Sequence, residues 1–271
     1  MNSRGASCVP FAGIRVNVKL IGSSVGDGPP QQFLTSFLVN DSMAIDAGSL
    51  GLLTPIEAQR QVRNVFITHS HIDHVATLPI FLDNIYPSKT HTVSIYASEH
   101  TLDCLRQFVF NDRLWPDVER LPTGDIPFVR FVTLSDRKEL CIDGLRIVPV
   151  ELDHVVPCFG FIIVGDTTAV AIVTDTGPTD TIWQVVREIS NFQAVFLEVG
   201  FPNSLQWLAD QSKHLTPETF QAESNKLGHD VQRIAVHLKS QYRCQITEQL
   251  NALNLPNLQI AKPGQTYTFP K

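Results

Sequence analysis

The chain has 271 residues, 43% of them hydrophobic and 18% charged, which is enough apolar material to bury a substantial core in one domain spanning 1–271. Its net charge of −6, with no Lys/Arg run of five or more, excludes the electrostatic footprint expected of a protein that grips long RNA or DNA, and no stretch approaches the roughly 18 apolar residues of a membrane span. The five cysteines are widely separated with no Cys-x-x-Cys, a pattern of thiols in a reducing compartment with room for one disulfide.

In chain order, residues 1–10 carry no apolar signal-peptide core, so the protein reads as cytoplasmic, or as periplasmic if a signal has been removed. Strands are predicted over 14–21, 33–39 and 43–45. The loop from Gly22 to Pro30 holds Gly22-Ser23-Ser24 and Gly26-Asp27-Gly28, but without a Gly-Lys-Ser/Thr ending or a following helix it reads as a tight turn near the pocket. A buried strand over 65–68 then runs into His69-Ser70-His71-Ile72-Asp73-His74, four potential metal ligands in six residues. Val75, Leu78, Phe81, Leu82 and Ile85 follow in a helical rhythm. Ser98 reads as a helix N-cap ahead of the stripe Leu102, Leu105, Val109. Phe108, Phe110 and Trp115, with Asn111 and Asp112, read either as core or as a pocket where a ring stacks on a purine and an amide reads its edge.

The second half alternates in the same way. Strands are predicted over 145–152, 158–164, 169–174, 194–197 and 233–236, with His154, Asp175, Glu198 and His237 at strand ends. Helices are predicted over 179–190, 216–227 and 245–253; Thr216-Pro217-Glu218 opens the second and Gly228 stops it. Two β-rich halves with helices outside predict a four-layer αββα sandwich whose site sits at one edge, where strand ends converge.

Imidazoles and carboxylates crowded as in residues 69–74 repel and desolvate one another in an ordinary core, so divalent cations are their natural stabiliser. His69 and His71, two apart on an extended exit, point the same way and can chelate one ion. Asp73 and His74, where the chain turns into a helix, can aim at a second. One segment cannot fill two coordination spheres, and His154, Asp175 and His237 are the candidates to complete them.

This order of residues, His-x-His-x-Asp-His, then His, Asp and His, resembles the metallo-β-lactamase superfamily from about residue 14 to 260. The resemblance implies one metal held by His69, His71 and His154, a second by Asp73, His74 and His237, and Asp175 bridging the two. It also implies that Asp46-Ala47-Gly48 shapes the loop beneath the site. More narrowly, Asp46 to Leu50, Phe110 to Pro116, Leu197 to Asn203, His214 to Pro217 and His237 to Lys239 resemble the class II 3',5'-cyclic nucleotide phosphodiesterases. Ile72, Thr77 and Pro79 depart from the usual pattern and leave the ligand positions intact.

Phosphodiester hydrolysis suits such a centre. Two cations can share a hydroxide, lowering the pKa of water from about 15.7 to about 7, and can neutralise phosphate oxygens as charge builds. A proton for the leaving alkoxide is then required, and His214, outside the ligand set, is the candidate to give it or to bind phosphate. Glu198 is expected to orient His214, as a similar pair does in the related transfer-RNA 3'-processing nucleases. The expected catalytic set is Asp73, His214 and Glu198, with Asn111, Trp115 and His214 contacting substrate. The expected reaction takes cAMP, cGMP or both to 5'-monophosphates using two divalent ions, zinc first, with manganese or iron as alternatives. Expected partners are the small cyclic nucleotide and no long nucleic acid or membrane, with a homodimer left open. The alternatives are a transfer-RNA-processing phosphodiesterase, a lactonase, a thioesterase or a non-hydrolytic metal-binding sensor.

Overall fold

The computed structural model describes residues 13–24, 32–86, 91–123, 125–227 and 230–269. Strands β1 (Asn17–Leu20), β2 (Phe37–Val39), β3 (Met43–Ile45), β4 (Asn64–Phe66) and β5 (Val93–Ala97) come first, followed by the small hairpin β6 (Pro122–Thr123) and β7 (Ile126–Pro127). β8 (Val129–Thr133), β9 (Leu140–Ile142), β10 (Leu145–Leu152), β11 (Cys158–Val164) and β12 (Ala169–Val173) follow. The last strands are β13 (Phe192–Glu198), β14 (Gln232–Val236), β15 (Leu258–Ile260) and β16 (Thr266–Thr268). The helices are α1 (Ile56–Gln61), α2 (Ile72–Val75), α3 (Leu78–Ile85), α4 (Glu99–Cys104), α5 (Thr181–Val186), α6 (Gln206–Ser212), α7 (Pro217–Ser224) and α8 (Arg243–Ala252).

Two seven-stranded sheets form, one in the order β16-β1-β2-β3-β4-β5-β8 and the other β15-β14-β13-β12-β11-β10-β9. Both are mixed in the same pattern. In the first, β1, β2 and β3 pair antiparallel and β3, β4 and β5 parallel; in the second, β10, β11 and β12 pair antiparallel and β12, β13 and β14 parallel.

Because neighbouring strand residues face opposite ways, each strand feeds two apolar layers. Phe66 joins the layer between the sheets, with Phe37, Ile45, Phe161, Ile172 and Phe196. Its neighbour Val65 packs outward against Leu78, Phe81, Leu82 and Ile85 of α3. On the far side, Val195 and Leu197 pack against Ile182, Trp183, Phe220, Ile246 and Leu250 from α5, α7 and α8. Three apolar layers between four structural ones make the expected αββα sandwich.

The differences from expectation have local causes. The first strand is four residues, and the second begins only at Phe37, because the Thr35 amide leaves the ladder to donate to the Asp73 carbonyl. The single helical rhythm from Val75 to Ile85 divides at Thr77 into α2 and α3, with Pro79 in the first turn of α3, where its missing N–H costs nothing. Helix α5 ends at Val186 because, beyond Arg187, the amides bond three residues back, Glu188 to Val185 and Ile189 to Val186. Cys104, Cys158 and Cys244 are free and Cys141 is disulfide-bonded. Residues 1–10 with Cys8, the Gly26-Asp27-Gly28 turn and the Gly228 helix stop lie outside the described residues. No helix among those described is long and apolar enough to cross a membrane.

Candidate metal centre

The site forms where strand ends of both sheets meet. β4 runs on through buried Ile67 and Thr68 into His69, and the chain enters the single turn of α2 at His71, which carries Asp73 and His74. From the other sheet come His154 after β10, Asp175 after β12, Glu198 at the end of β13 and His237 after β14. The sheets are joined at this edge by the Phe159 amide donating to the Thr68 carbonyl at 3.0 Å.

The loop beneath is packed backbone on backbone. The Ala47 amide donates to the His74 carbonyl at 2.7 Å, Gly48 to Thr35 at 3.0 Å, and Thr77 back to Ala47 at 3.0 Å. A Cβ at Gly48 would stand 1.9 Å from the Asp73 carbonyl oxygen, so only glycine fits. Asp46 takes a left-handed φ of 62° and His237 one of 58°, conformations that non-glycine residues hold when their surroundings over-determine them.

Four of the imidazoles are fixed through Nδ1. His74 donates Nδ1–H to Asp46 Oδ2 at 2.7 Å, His237 Nδ1 meets Thr35 Oγ1 at 2.9 Å, His154 Nδ1 meets the Lys213 carbonyl at 3.1 Å, and His69 Nδ1 lies 3.0 Å from Thr68 Oγ1. Such partners set the tautomer and orient a metal-binding ring. Their Nε2 atoms then converge. Asp175 Oδ2 is 3.5 Å from His69 Nε2 and 3.9 Å from His154 Nε2, while Oδ1 is 3.4 Å from both His74 Nε2 and His237 Nε2. Asp73 Oδ2 lies 3.7 Å from His74 and 3.8 Å from His237.

One set of donor atoms therefore comprises His69, His71, His154 and Asp175, and a second Asp73, His74 and His237, with the atoms of each set within 4.8 Å of one another. Asp175 presents one oxygen to each. Ligands about 2.0–2.1 Å from a tetrahedral ion lie about 3.3 Å apart, close to the shortest spacings here. His69 Nε2, His74 Nε2, His237 Nε2 and Asp175 Oδ1 are buried without hydrogen-bond partners, a costly state that a shared cation removes. The residues fit divalent metal.

The electrostatics agree. Burial pushes the pKa of His69 well down and lowers that of His71, and it brings His154 and His237 to about 4, with neighbouring imidazoles adding to the effect; these rings stay neutral, the ligand form. At Asp175 burial pushes the pKa up, but His237, His74 and His69 outweigh it and hold the carboxyl well below its usual range. His74 goes the other way: burial opposes its charge, yet Asp175 and Asp46 raise it well above an ordinary histidine. The carboxylates on either side of this ring thus favour positive charge at His74.

His214 and Glu198 stand beside this cluster. Glu198 is fully buried, and its Oε1 accepts from His214 Nδ1 at 2.8 Å, from the Leu215 amide at 3.2 Å and from the Thr176 amide at 3.3 Å. That leaves His214 Nε2 facing the cluster, 3.9 Å from Asp175 Oδ2. Burial lowers the His214 pKa, but the Glu198 charge and hydrogen bond overcome it and the net shift is upward.

The structure thus brings together His69, His71, Asp73, His74, His154, Asp175, His237, His214 and Glu198. It does not bring Asn111 or Trp115 to them. The Asn111 side chain is spent on its own turn, donating to the Gln107 carbonyl and accepting from the Arg113 and Leu114 amides. Trp115 lines a separate cavity of about 460 Å³ with Leu82, Tyr86 and Phe128. Phe110 is core and Phe108 is exposed. Sequence reasoning missed Thr35, which no pattern marks, and Thr68, whose place as the last residue of a predicted strand was its only signal. It also gave Asp46 to loop shape alone, whereas its carboxylate holds His74.

The family model described as "Beta-lactamase superfamily domain" matches residues 37–237. The chain is 27% identical over 255 residues to a probable 3',5'-cyclic-nucleotide phosphodiesterase of Yersinia pestis, covering 77% of this chain and 72% of that one. It is 25% identical over 160 residues to ribonuclease Z of Alkaliphilus oremlandii, a match spanning 54% of this chain and half of that protein. The crystal structure of unliganded yeast PDE1 superposes with a TM-score of 0.77 at 17% identity, covering 94% of this chain and 100% of that one; at that identity the likeness is one of fold. The chain belongs to the metallo-β-lactamase superfamily, as a metal-dependent hydrolase related to cyclic-nucleotide phosphodiesterases and ribonuclease Z.

Proposed function

We propose that this chain is a dinuclear phosphodiesterase that opens 3',5'-cyclic nucleotides to 5'-monophosphates. The carrying observation is the Glu198–His214 pair, a buried imidazole with one nitrogen committed to a carboxylate and the other facing Asp175. The two donor sets of His69, His71, His154 and of Asp73, His74, His237, with Asp175 between them, would hold two divalent ions, zinc first and manganese or iron next. Bound there, such ions supply Lewis acidity for phosphate oxygens and lower the pKa of water.

The residues do the rest. Glu198 fixes the ring of His214 so that Nε2 can hold a proton and deliver it to the departing 3' oxygen. Asp73, with a side chain 30% exposed, is the carboxylate at the open side of the cluster, where substrate arrives. A net charge of −6 suits a small phosphodiester better than a long polyanion. The relatives' names, phosphodiesterase and ribonuclease Z, both describe enzymes that cut phosphodiesters.

The test is incubation of metal-loaded protein with cAMP, cGMP, bis(p-nitrophenyl) phosphate, precursor transfer RNA, a lactone and a thioester, with products identified. Release of 5'-monophosphate from a cyclic nucleotide is the expected result. Turnover of the carbon esters alone would sink the proposal, and cleavage of precursor transfer RNA without cyclic nucleotide turnover would move the chain to the ribonuclease Z reading.

A further inference from the structure

Beside Asp73 and His237 lies a cleft that neither the metal chemistry nor the proton pair uses, walled by Gln32, Phe33, Thr35, Lys239 and Ser240. Its volume of about 120 Å³ is below the roughly 300 Å³ at which pockets take a whole drug-sized ligand, so it suits one part of a substrate whose other part lies at the cluster.

Gln32 is the unexplained residue of this cleft. It is 6% exposed, and both Oε1 and Nε2 are buried with no hydrogen-bond partner. An amide has two donors and an acceptor with two lone pairs, and leaving them all unused in the interior is costly. Its backbone is nonetheless held firmly. The Ser240 hydroxyl donates to the Gln32 carbonyl at 3.1 Å, and Ser23 Oγ accepts from the amides of Phe33 and Leu34. A well-anchored segment that carries an unpaired amide is a site prepared for a partner.

The rest of the cleft says what kind of partner. Phe33 is 54% exposed, an aromatic face open for stacking. Lys239 Nζ lies 5.3 Å over the Phe201 ring and its charge reaches Asp73 and His237, so a cation stands between cleft and cluster where a phosphate oxygen or ribose would pass. An amide beside an aromatic face, next to a phosphate-binding centre, is a nucleobase site.

We infer that this cleft binds the base of the nucleotide and that the Gln32 amide selects adenine, accepting from N6–H and donating to N7. A glutamine amide matches that donor-acceptor edge, whereas guanine presents two acceptors, O6 and N7, on the same edge. This inference rests on the phosphodiesterase reading, but its test separates the two.

In Gln32→Leu the polar edge is lost and the volume nearly kept. The kcat/KM for cAMP is expected to fall about tenfold, with bis(p-nitrophenyl) phosphate turnover and metal content unchanged. Phe33→Ala should weaken cAMP but not the base-free ester. Because Gln32→Leu removes an unpaired amide, the ligand-free variant should unfold at a urea concentration no lower than wild type, which a purely architectural glutamine would not allow.

Binding is measured in parallel by calorimetry with AMP, GMP and ribose 5-phosphate. Wild type should prefer AMP to each of the others by about tenfold and Gln32→Leu should not. Equal affinity for AMP and ribose 5-phosphate, preference for GMP, or parallel loss of both esters in the variant would overturn the inference. Wild type that prefers AMP yet turns over no cyclic nucleotide would overturn the phosphodiesterase reading and leave the base site standing.

Discussion

The two sheets repeat one pairing pattern, and equivalent strands β3 and β12 each lead into an aspartate, Asp46 and Asp175. Their environments are opposite. Asp46 is saturated by the Thr68 amide, the Thr68 hydroxyl and His74 Nδ1, and burial raises its pKa despite those partners. Asp175 keeps Oδ1 without a hydrogen-bond partner among imidazoles that hold its pKa far down. The same place in the fold therefore serves two tasks. In the first sheet the aspartate supports a candidate ligand, and in the second it is left open to be one. The candidate ligands differ in the same way: the first sheet gives His69, His71, Asp73 and His74 from one loop pinned by backbone bonds, while the second gives His154, Asp175 and His237 singly.

The largest effect should come from the bare aspartate. Asp175→Ala removes the carboxylate placed to serve both donor sets, so both ions should be lost, and with them several kcal/mol of charge stabilisation, about 10³-fold in turnover. Metal analysis and esterase assays on the purified variant check this. Retention of two ions would break the assignment of Asp175 as the shared ligand. His214→Ala tests the proton role on the same sheet: turnover of an alkyl phosphodiester should fall about 10²-fold with metal content full. A much smaller loss is expected on bis(p-nitrophenyl) phosphate, whose leaving group needs no proton. Equal losses on both esters would remove His214 from proton delivery.

The contrast between the sheets also sets what could be read in the sequence. Residues 69–74 were legible at once because the candidate ligands are adjacent in the chain, and the strand-like apolar runs on either side of His154 gave β10 and β11 to the residue. His154, Asp175 and His237 are ordinary strand-end residues; order and family resemblance singled them out. Contacts across the sandwich had no such signal. Thr35 reaches His237 over 202 residues, and the short second strand exists because Asp73 takes the Thr35 amide, a competition that local pattern cannot register. Asn111 and Trp115 were legible as a motif, but the turn they build consumes the Asn111 amide, while Gln32, in a polar stretch with no periodicity, gave nothing to read.

Asp46→Asn addresses the supporting aspartate. The carboxamide oxygen of the variant can still accept from Thr68, but its NH₂ would then face His74 Nδ1, forcing the imidazole proton to Nε2 and removing the lone pair that faces Asp175. Metal affinity should fall about tenfold to a hundredfold, and mainly in the set of Asp73, His74 and His237. Titration of the apo variant should therefore show one tight and one weakened ion. Uniform weakening of both would mean that Asp46 acts through general stability and not through His74.

The smallest effect distinguishes the two ways of holding a site. Gly48, in the pinned loop of the first sheet, would place an added Cβ 1.9 Å from the Asp73 carbonyl and 2.7 and 2.8 Å from the backbone of Thr35. Backbone cannot swing aside, so Gly48→Ala must displace Asp73 or Thr35, with an overpacking cost of about 1–3 kcal/mol. Gly177, after Asp175 in the second sheet, would meet Asp153 Oδ2 at 3.0 Å and Lys213 Cδ at 3.3 Å, parts of two side chains that pair with each other at 3.0 Å but are each nearly half exposed and can shift outward together. Gly177→Ala should cost less than about 0.5 kcal/mol. Urea unfolding of both metal-free variants measures the difference, and the same shift in Tm on adding metal should be seen for Gly177→Ala and wild type but a smaller one for Gly48→Ala, whose donor set is displaced. Equal stabilities would mean that the loop under Asp73 yields as easily as the solitary ligands do, and the distinction between a pinned and a singly held half of the site would fail.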